Sequence, residues 1–157
     1  MIHTHDHSRC IESALRDADA LCLSRGVRFT PIRRRVLRLI WSEHAAVKAY
    51  DLLDHLKDTD PAAKPATVYR ALDFLLEQGF IHRIESLNAF IGCSAMGAPH
   101  ELLLMICDQC HHVQEYPAPD VMTAVAQEVR AARFRPRSQT FEIHGLCAAC
   151  GDAASSA

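Results

Sequence analysis

Apolar residues recur at helical spacing over residues 9–24, where Ile11, Ala14, Leu15, Ala18, Leu21 and Cys22 share one side and charges fall between them. Gly26 is the expected stop. Thr30-Pro31 opens a second helix, with threonine as N-cap and proline at the first helical position. Ile32, Val36, Leu39 and Ile40 line one face of it and arginines line another. A third helix is predicted from about Ala49 to Lys57, with Leu52, Leu53 and Leu56 inward. Asp60-Pro61 breaks the pattern. A fourth helix starts near Pro65-Ala66-Thr67, carries the stripe Val68, Leu72, Leu75 and Leu76, and ends at Gly79. After Gly79 the period changes. Residues 80–85 and 89–91 read as two short strands around Ser86-Leu87-Asn88.

Helices followed by a small hairpin make a winged helix-turn-helix, in which the last helix enters a DNA major groove and its first turn meets base edges. The outward face of that turn offers Thr67, Tyr69 and Arg70, and residues 69 and 70 cannot join the inward stripe. Arg28, Arg33, Arg34, Arg35 and Arg38 fall within 11 residues that contain no acid. From that helix, Arg33 and Arg34 are expected to touch phosphates, which holds register and makes binding salt-sensitive.

The second half changes character. Strands are predicted at 101–106, 112–116 and 138–144, with a helix from about Pro119 to Ala132 between the last two. The expectation is a three-stranded antiparallel sheet covered by one helix through Val121, Met122, Val125, Ala126 and Val129. Cys107-Asp108-Gln109-Cys110 and Cys147-Ala148-Ala149-Cys150 are two CxxC pairs with 36 residues between them. Each pair puts two sulfurs on one tight turn, and four thiolates suit tetrahedral zinc. About 57 residues make too small a core to stand comfortably alone, so a metal staple and dimerisation are both expected. The other possible ligands, His82, Cys93, His100, Glu101, His111, His112, Glu115 and His144, are dispersed, and spacing alone selects no second site among them. Cys10 and Cys22 read as partly buried thiols of the first helix.

Charge sharpens the division. Residues 1–91 carry 13 Lys/Arg against 12 Asp/Glu, and residues 92–157 carry 4 against 7, while five of the seven cysteines lie from Cys93 onward. A module for a polyanion and a module for a metal are therefore expected in different halves. The longest uncharged apolar run, residues 102–107, is far too short to cross a bilayer. The N-terminus has no cationic start leading into an apolar stretch, so the cytoplasm is the expected compartment. A collagen, a coiled-coil rod and a membrane protein are excluded. Neither the His-Glu-x-x-His helix nor the zinc-deaminase pattern occurs, so a binding protein is expected in place of an enzyme, with no small-molecule substrate.

Thr30-Pro31-Ile32-Arg33, Ala49-Tyr50-Asp51-Leu52-Leu53, Ala66-Thr67-Val68-Tyr69-Arg70-Ala71-Leu72 and the double CxxC resemble the ferric-uptake-regulator family of metal-sensing bacterial repressors. Residues 49–79 and 142–150 are similar to its zinc uptake regulator branch, and the resemblance covers about residues 10–151. It implies an α+β chain: an N-terminal winged-helix DNA-binding domain, a hinge and a C-terminal dimerisation domain. The boundaries expected here are a mobile tail at 1–8 containing His3, His5 and His7, the winged helix at 9–91, the hinge at 92–100, the zinc-stapled dimerisation domain at 101–151 and a disordered tail at 152–157. The resemblance implies two zinc ions per chain. One is structural, on Cys107, Cys110, Cys147 and Cys150; one is regulatory, on His82, Cys93, His100 and Glu115. It also implies base contacts from Tyr50 and Arg70. The expected function is a zinc-loaded homodimer that binds palindromic operator DNA and represses zinc-uptake genes. The alternatives are a relative sensing another divalent metal, or a zinc-ribbon module that binds protein. The iron and peroxide branches place histidines five and three residues before the first CxxC cysteine; here those positions are Leu102 and Leu104.

Overall fold

The opening helix α1 (His7–Arg25) buries Ala14, Leu15, Ala18 and Cys22 on one side. It ends at Gly26, whose φ of +65° is open to glycine at little cost, and the Val27 N–H then bonds back to the Cys22 carbonyl at 3.0 Å. This computed structural model describes residues 7–43, 45–97, 102–137 and 139–155. The chain divides into two units, Met1–Ala98 and Pro99–Ala157. His3, His5, His100 and Glu101 lie outside the described residues, and the helix already begins at His7.

In the first unit, α2 (Pro31–Ser42) buries Val36, Leu37 and Ile40. Thr30 occupies the N-cap position with extended backbone, but its hydroxyl makes no capping bond and is buried without a hydrogen-bond partner. A two-residue strand, β1 (Val47–Lys48), leads into α3 (Ala49–Lys57), which buries Leu52, Leu53 and Leu56 as the periodicity requires. The helix α4 (Pro65–Glu77) buries Val68, Ala71, Leu72, Phe74 and Leu75, a wider stripe than expected. The strands β2 (Ile81–Ile84) and β3 (Ala89–Gly92) follow. The sheet order is β1-β3-β2, antiparallel throughout, with Val47 opposite Phe90 and His82 opposite Ile91. The wing thus has a third strand that two residues could not announce by alternation. Phe80 is fully buried at the centre, with the rings of Phe29 and Phe74 edge-on at 6.1 and 6.4 Å.

The second unit comprises β4 (Leu102–Cys107), β5 (Val113–Pro117), α5 (Pro119–Ala131), β6 (Phe141–Gly145) and α6 (Ala148–Ser155). The sheet order is β5-β4-β6. Strands β4 and β5 pair antiparallel, but β4 and β6 run parallel, with Cys107 opposite Gly145. The sheet is therefore mixed, and the expectation of an antiparallel one is corrected. Each CxxC turn follows the C-terminal end of its strand, and because β4 and β6 point the same way those two ends meet. Residues 152–155, expected as a disordered tail, continue α6. Only Met122 of α5 is fully buried; Val125, Ala126 and Val129 are half-buried and Val121 is exposed. Cys10 is half-buried and Cys22 buried, as the first-helix reading expects.

Candidate metal centre and nucleic-acid interface

The parallel β4–β6 ladder brings the two CxxC turns to one end of the sheet. Cys107 ends β4, Cys110 closes the turn after it, Cys147 follows β6 and Cys150 sits in the first turn of α6. The four Sγ atoms lie within 4.8 Å of one another, and Cys110 and Cys147 are 3.8 Å apart. A tetrahedron with zinc–sulfur arms of about 2.3 Å has edges of about 3.8 Å, so the donor set fits zinc. Turn geometry supports the same reading. His111 takes a left-handed φ of 58°, its N–H bonds the Cys107 carbonyl at 2.9 Å, and the Gly151 N–H bonds the Cys147 carbonyl at 2.8 Å.

The sulfurs also differ in proton affinity. Backbone N–H groups of Cys110 and then Cys147 draw the Cys107 thiol down to about 6, and the Cys147 N–H lies 3.4 Å from its sulfur. At Cys110 the His112 N–H pulls downward, but hydrogen bonding to the Cys107 sulfur together with burial outweighs it, and the thiol rises. Cys150 is pushed up to about 12, first by its hydrogen bond with Cys147 and then by burial. Four crowded sulfurs without a cation cannot all be thiolates. A divalent ion at their centre removes that conflict, because metal binding and deprotonation are linked.

A second group lies in the wing of the first unit. Antiparallel pairing puts His82 on β2 beside the residue that follows β3, so a His82 ring nitrogen and the Cys93 Sγ come within 4.8 Å. Cys93 is 1% exposed, and its N–H bonds the Phe80 carbonyl at 3.0 Å. Gly92 packs closely against the Trp41 indole; a Cβ there would stand 2.4 Å from ring atoms, so any larger residue would have to displace the indole. In the second unit Glu115 lies on β5 opposite Leu104 and is half-buried. Leu104 is itself buried, which suits a packing residue.

The DNA-facing candidates are exposed as the helical phase requires. Thr67, Tyr69 and Arg70 occupy the first turns of α4, with Tyr69 55% exposed, and Tyr50 in the first turn of α3 is 70% exposed. Arg33 and Arg34 are different. The Arg33 guanidinium stacks 3.6 Å from the Phe74 ring centre and donates to the Arg28 carbonyl. Arg34 bonds the Asp19 carboxylate, which raises its already high pKa. Both therefore tie α2 to its neighbours. Arg38 lies 3.6 Å from Glu12. Sequence reasoning missed Lys48 and Lys64, exposed residues at the N-cap positions of α3 and α4. A lysine there opposes the helix dipole and lacks a capping oxygen, so an external anion is what it suits. That mismatch was readable once the helix starts were known.

Comparison with known proteins draws on most of the chain. The family model described as Ferric uptake regulator family matches residues 24–144. The Zinc uptake regulation protein of Escherichia coli (strain K12) is 46% identical over 140 residues, which are 88% of this chain and 82% of that protein. A solved zinc uptake regulator complexed with zinc and DNA matches with a TM-score of 0.88 at 44% identity, covering 92% of this chain and 97% of that one. The crystal structure of holo XcZur matches at 0.82 and 45% identity, covering 89% and 98%. With the four-sulfur centre and the winged helix already in place, the chain belongs to the ferric uptake regulator family.

Proposed function

We propose that this chain is a zinc-responsive transcriptional regulator that, as a zinc-loaded homodimer, binds palindromic operator DNA in the cytoplasm and represses zinc-uptake genes. The observation that carries the reading is its similarity, along nearly the whole length, to a regulator solved with both zinc and DNA. The relatives point to regulation and not to catalysis. Two zinc ions per chain complete the proposal. Cys107, Cys110, Cys147 and Cys150 hold the structural ion, supported by the fit of their sulfurs to a tetrahedron. His82, Cys93, His100 and Glu115 hold the regulatory ion, supported by the approach of His82 to Cys93. Zinc contributes a fixed tetrahedral link at the first set and a reversible one at the second. The reversible link acts as a signal only if the DNA-competent form binds it more tightly than the other form.

Each part of the chain has a role. Arg70 and Tyr50 reach base edges, Thr67 and Tyr69 flank them, and Lys48 and Lys64 meet phosphates. Arg33 and Arg34 brace the reading helix, with phosphate contact a secondary role. Tyr116, Val121, Phe134, Ile143 and Leu146 leave apolar surface on the second unit, which a second copy covers. Leucines at 102 and 104, with a thiolate in the proposed sensor, favour zinc over a six-coordinate ferrous ion.

The test is titration of a labelled palindromic duplex in buffered free zinc, repeated with iron and manganese and at several salt concentrations. Zinc-selective, salt-sensitive binding is expected. Equal response to manganese would make the chain a sensor of another metal. Absence of salt-sensitive binding would leave a protein-interaction module.

A further inference from the structure

We propose that Asp108 and His144 form a latch that holds the two cysteine turns in register and sets how long the four-cysteine centre keeps its metal. The inference rests on assigning that centre to zinc. Asp108 follows Cys107 in the first turn, and His144 lies on β6 three residues before Cys147. His144 Nδ1–H donates to Asp108 Oδ1 at 3.1 Å; a carboxylate only accepts, so the proton is assigned to Nδ1. The other ring nitrogen faces Glu142 Oε2 at 3.8 Å, two residues back on the same face of the strand. The Asp108 N–H also donates to the Gly145 carbonyl at 2.8 Å. Side chain and main chain of one residue thus both grip β6.

The place is the telling feature. The ladder between β4 and β6 ends at Cys107 opposite Gly145, so Cys110, Cys147 and Cys150 lie beyond it. The chain between Cys110 and Cys147 is long, and its closure alone leaves the two turns free to separate. The latch joins them where the ladder stops. The two ring nitrogens face separate carboxylates, so the histidine is engaged as a strut and does not point at a common site with them. Hydrogen bonds made directly to metal ligands change metal affinity by about 10–100-fold when lost, and a latch that holds the ligand-bearing turns is expected to act within that range.

The experiment follows zinc transfer from the full-length, zinc-loaded protein to a chromophoric chelator. Wild type, Asp108→Ala, His144→Ala and the double variant are compared, with circular dichroism on the loaded forms. Each single substitution is expected to speed release of the slow zinc by about 10–100-fold, with the double variant no faster than the worse single. His144→Asn, whose amide can still donate from the Nδ1 position, is expected to release slowly. His144→Gln, whose amide sits at the other ring position, is expected to release fast. This contrast also decides the matter if the alanine variants do not load zinc. Wild-type release from both single variants, additive effects in the double, or equal behaviour of the Asn and Gln variants each overturn the latch. Wild type without any slowly released zinc overturns the zinc assignment beneath it, which is a separate and recognisable result.

Discussion

Replacing Arg70 by alanine separates base reading from backbone binding. Arg70 is exposed in the opening turns of α4, whose buried side is already filled by Val68, Ala71, Leu72, Phe74 and Leu75. Among the described residues its guanidinium has no ion-pair or ring partner, in contrast to Arg33 and Arg34. A lost bidentate contact to guanine costs about 1–3 kcal/mol per copy. A two-fold dimer has two copies, so the operator loses roughly 2–6 kcal/mol, or about 30-fold to about 20,000-fold in affinity. Preference should relax at one position of each half-site and stay sharp elsewhere. Arg33→Ala is the matched control. It removes a stacked cation and a hydrogen bond inside the first unit, about 1–3 kcal/mol in sum, and should lower the thermal midpoint by several degrees without relaxing any base. The assay is binding to a panel of single-base operator variants at fixed free zinc. Uniform weakening of Arg70→Ala across the panel, with the salt slope reduced by about one, would refute base reading and leave Arg70 as a phosphate clamp.

Three further outcomes follow from the metal sites. Cys107→Ser or Cys150→Ser should cost one tightly held zinc per chain and the folded second unit, read by native mass spectrometry and circular dichroism; a variant that keeps both contradicts the four-sulfur site. Cys93→Ala, His82→Ala or Glu115→Ala should leave a folded dimer with its structural zinc but without zinc-dependent duplex binding, and wild-type zinc response in all three would remove these residues from the sensor. Zinc loading of the metal-free four-sulfur centre should strengthen as pH rises. With Cys107 near 6 its proton is already gone at pH 7, but Cys110 is raised and Cys150 stands near 12, so both release protons on loading. The logarithm of apparent affinity should then climb by at least about two per pH unit between pH 7 and 8, and a flat profile from competition titrations would contradict the linkage.

The sequence by itself determined the helices of the first unit, the hairpin after Gly79 and the two cysteine pairs. These are local facts. A helix is specified by neighbours three and four positions apart, and a CxxC pair by one turn, so periodicity and spacing carry them. The exposure of Tyr69 and Arg70 followed from the same phase argument. Strand direction was not local. Antiparallel and parallel neighbours share one side-chain alternation, so only tertiary pairing decided that β6 runs with β4. The two-residue β1 had no pattern to read, and it exists because β3 offers it a partner. The arginines of α2 looked alike in sequence. Packing separated them, because Phe74 and Asp19 come from other helices and claim Arg33 and Arg34. The same holds for His144, one dispersed histidine among many until the parallel ladder set it against Asp108. Contacts between distant segments depend on the whole fold, and the physics of side-chain pairing can select among them only after the backbone has brought the candidates together.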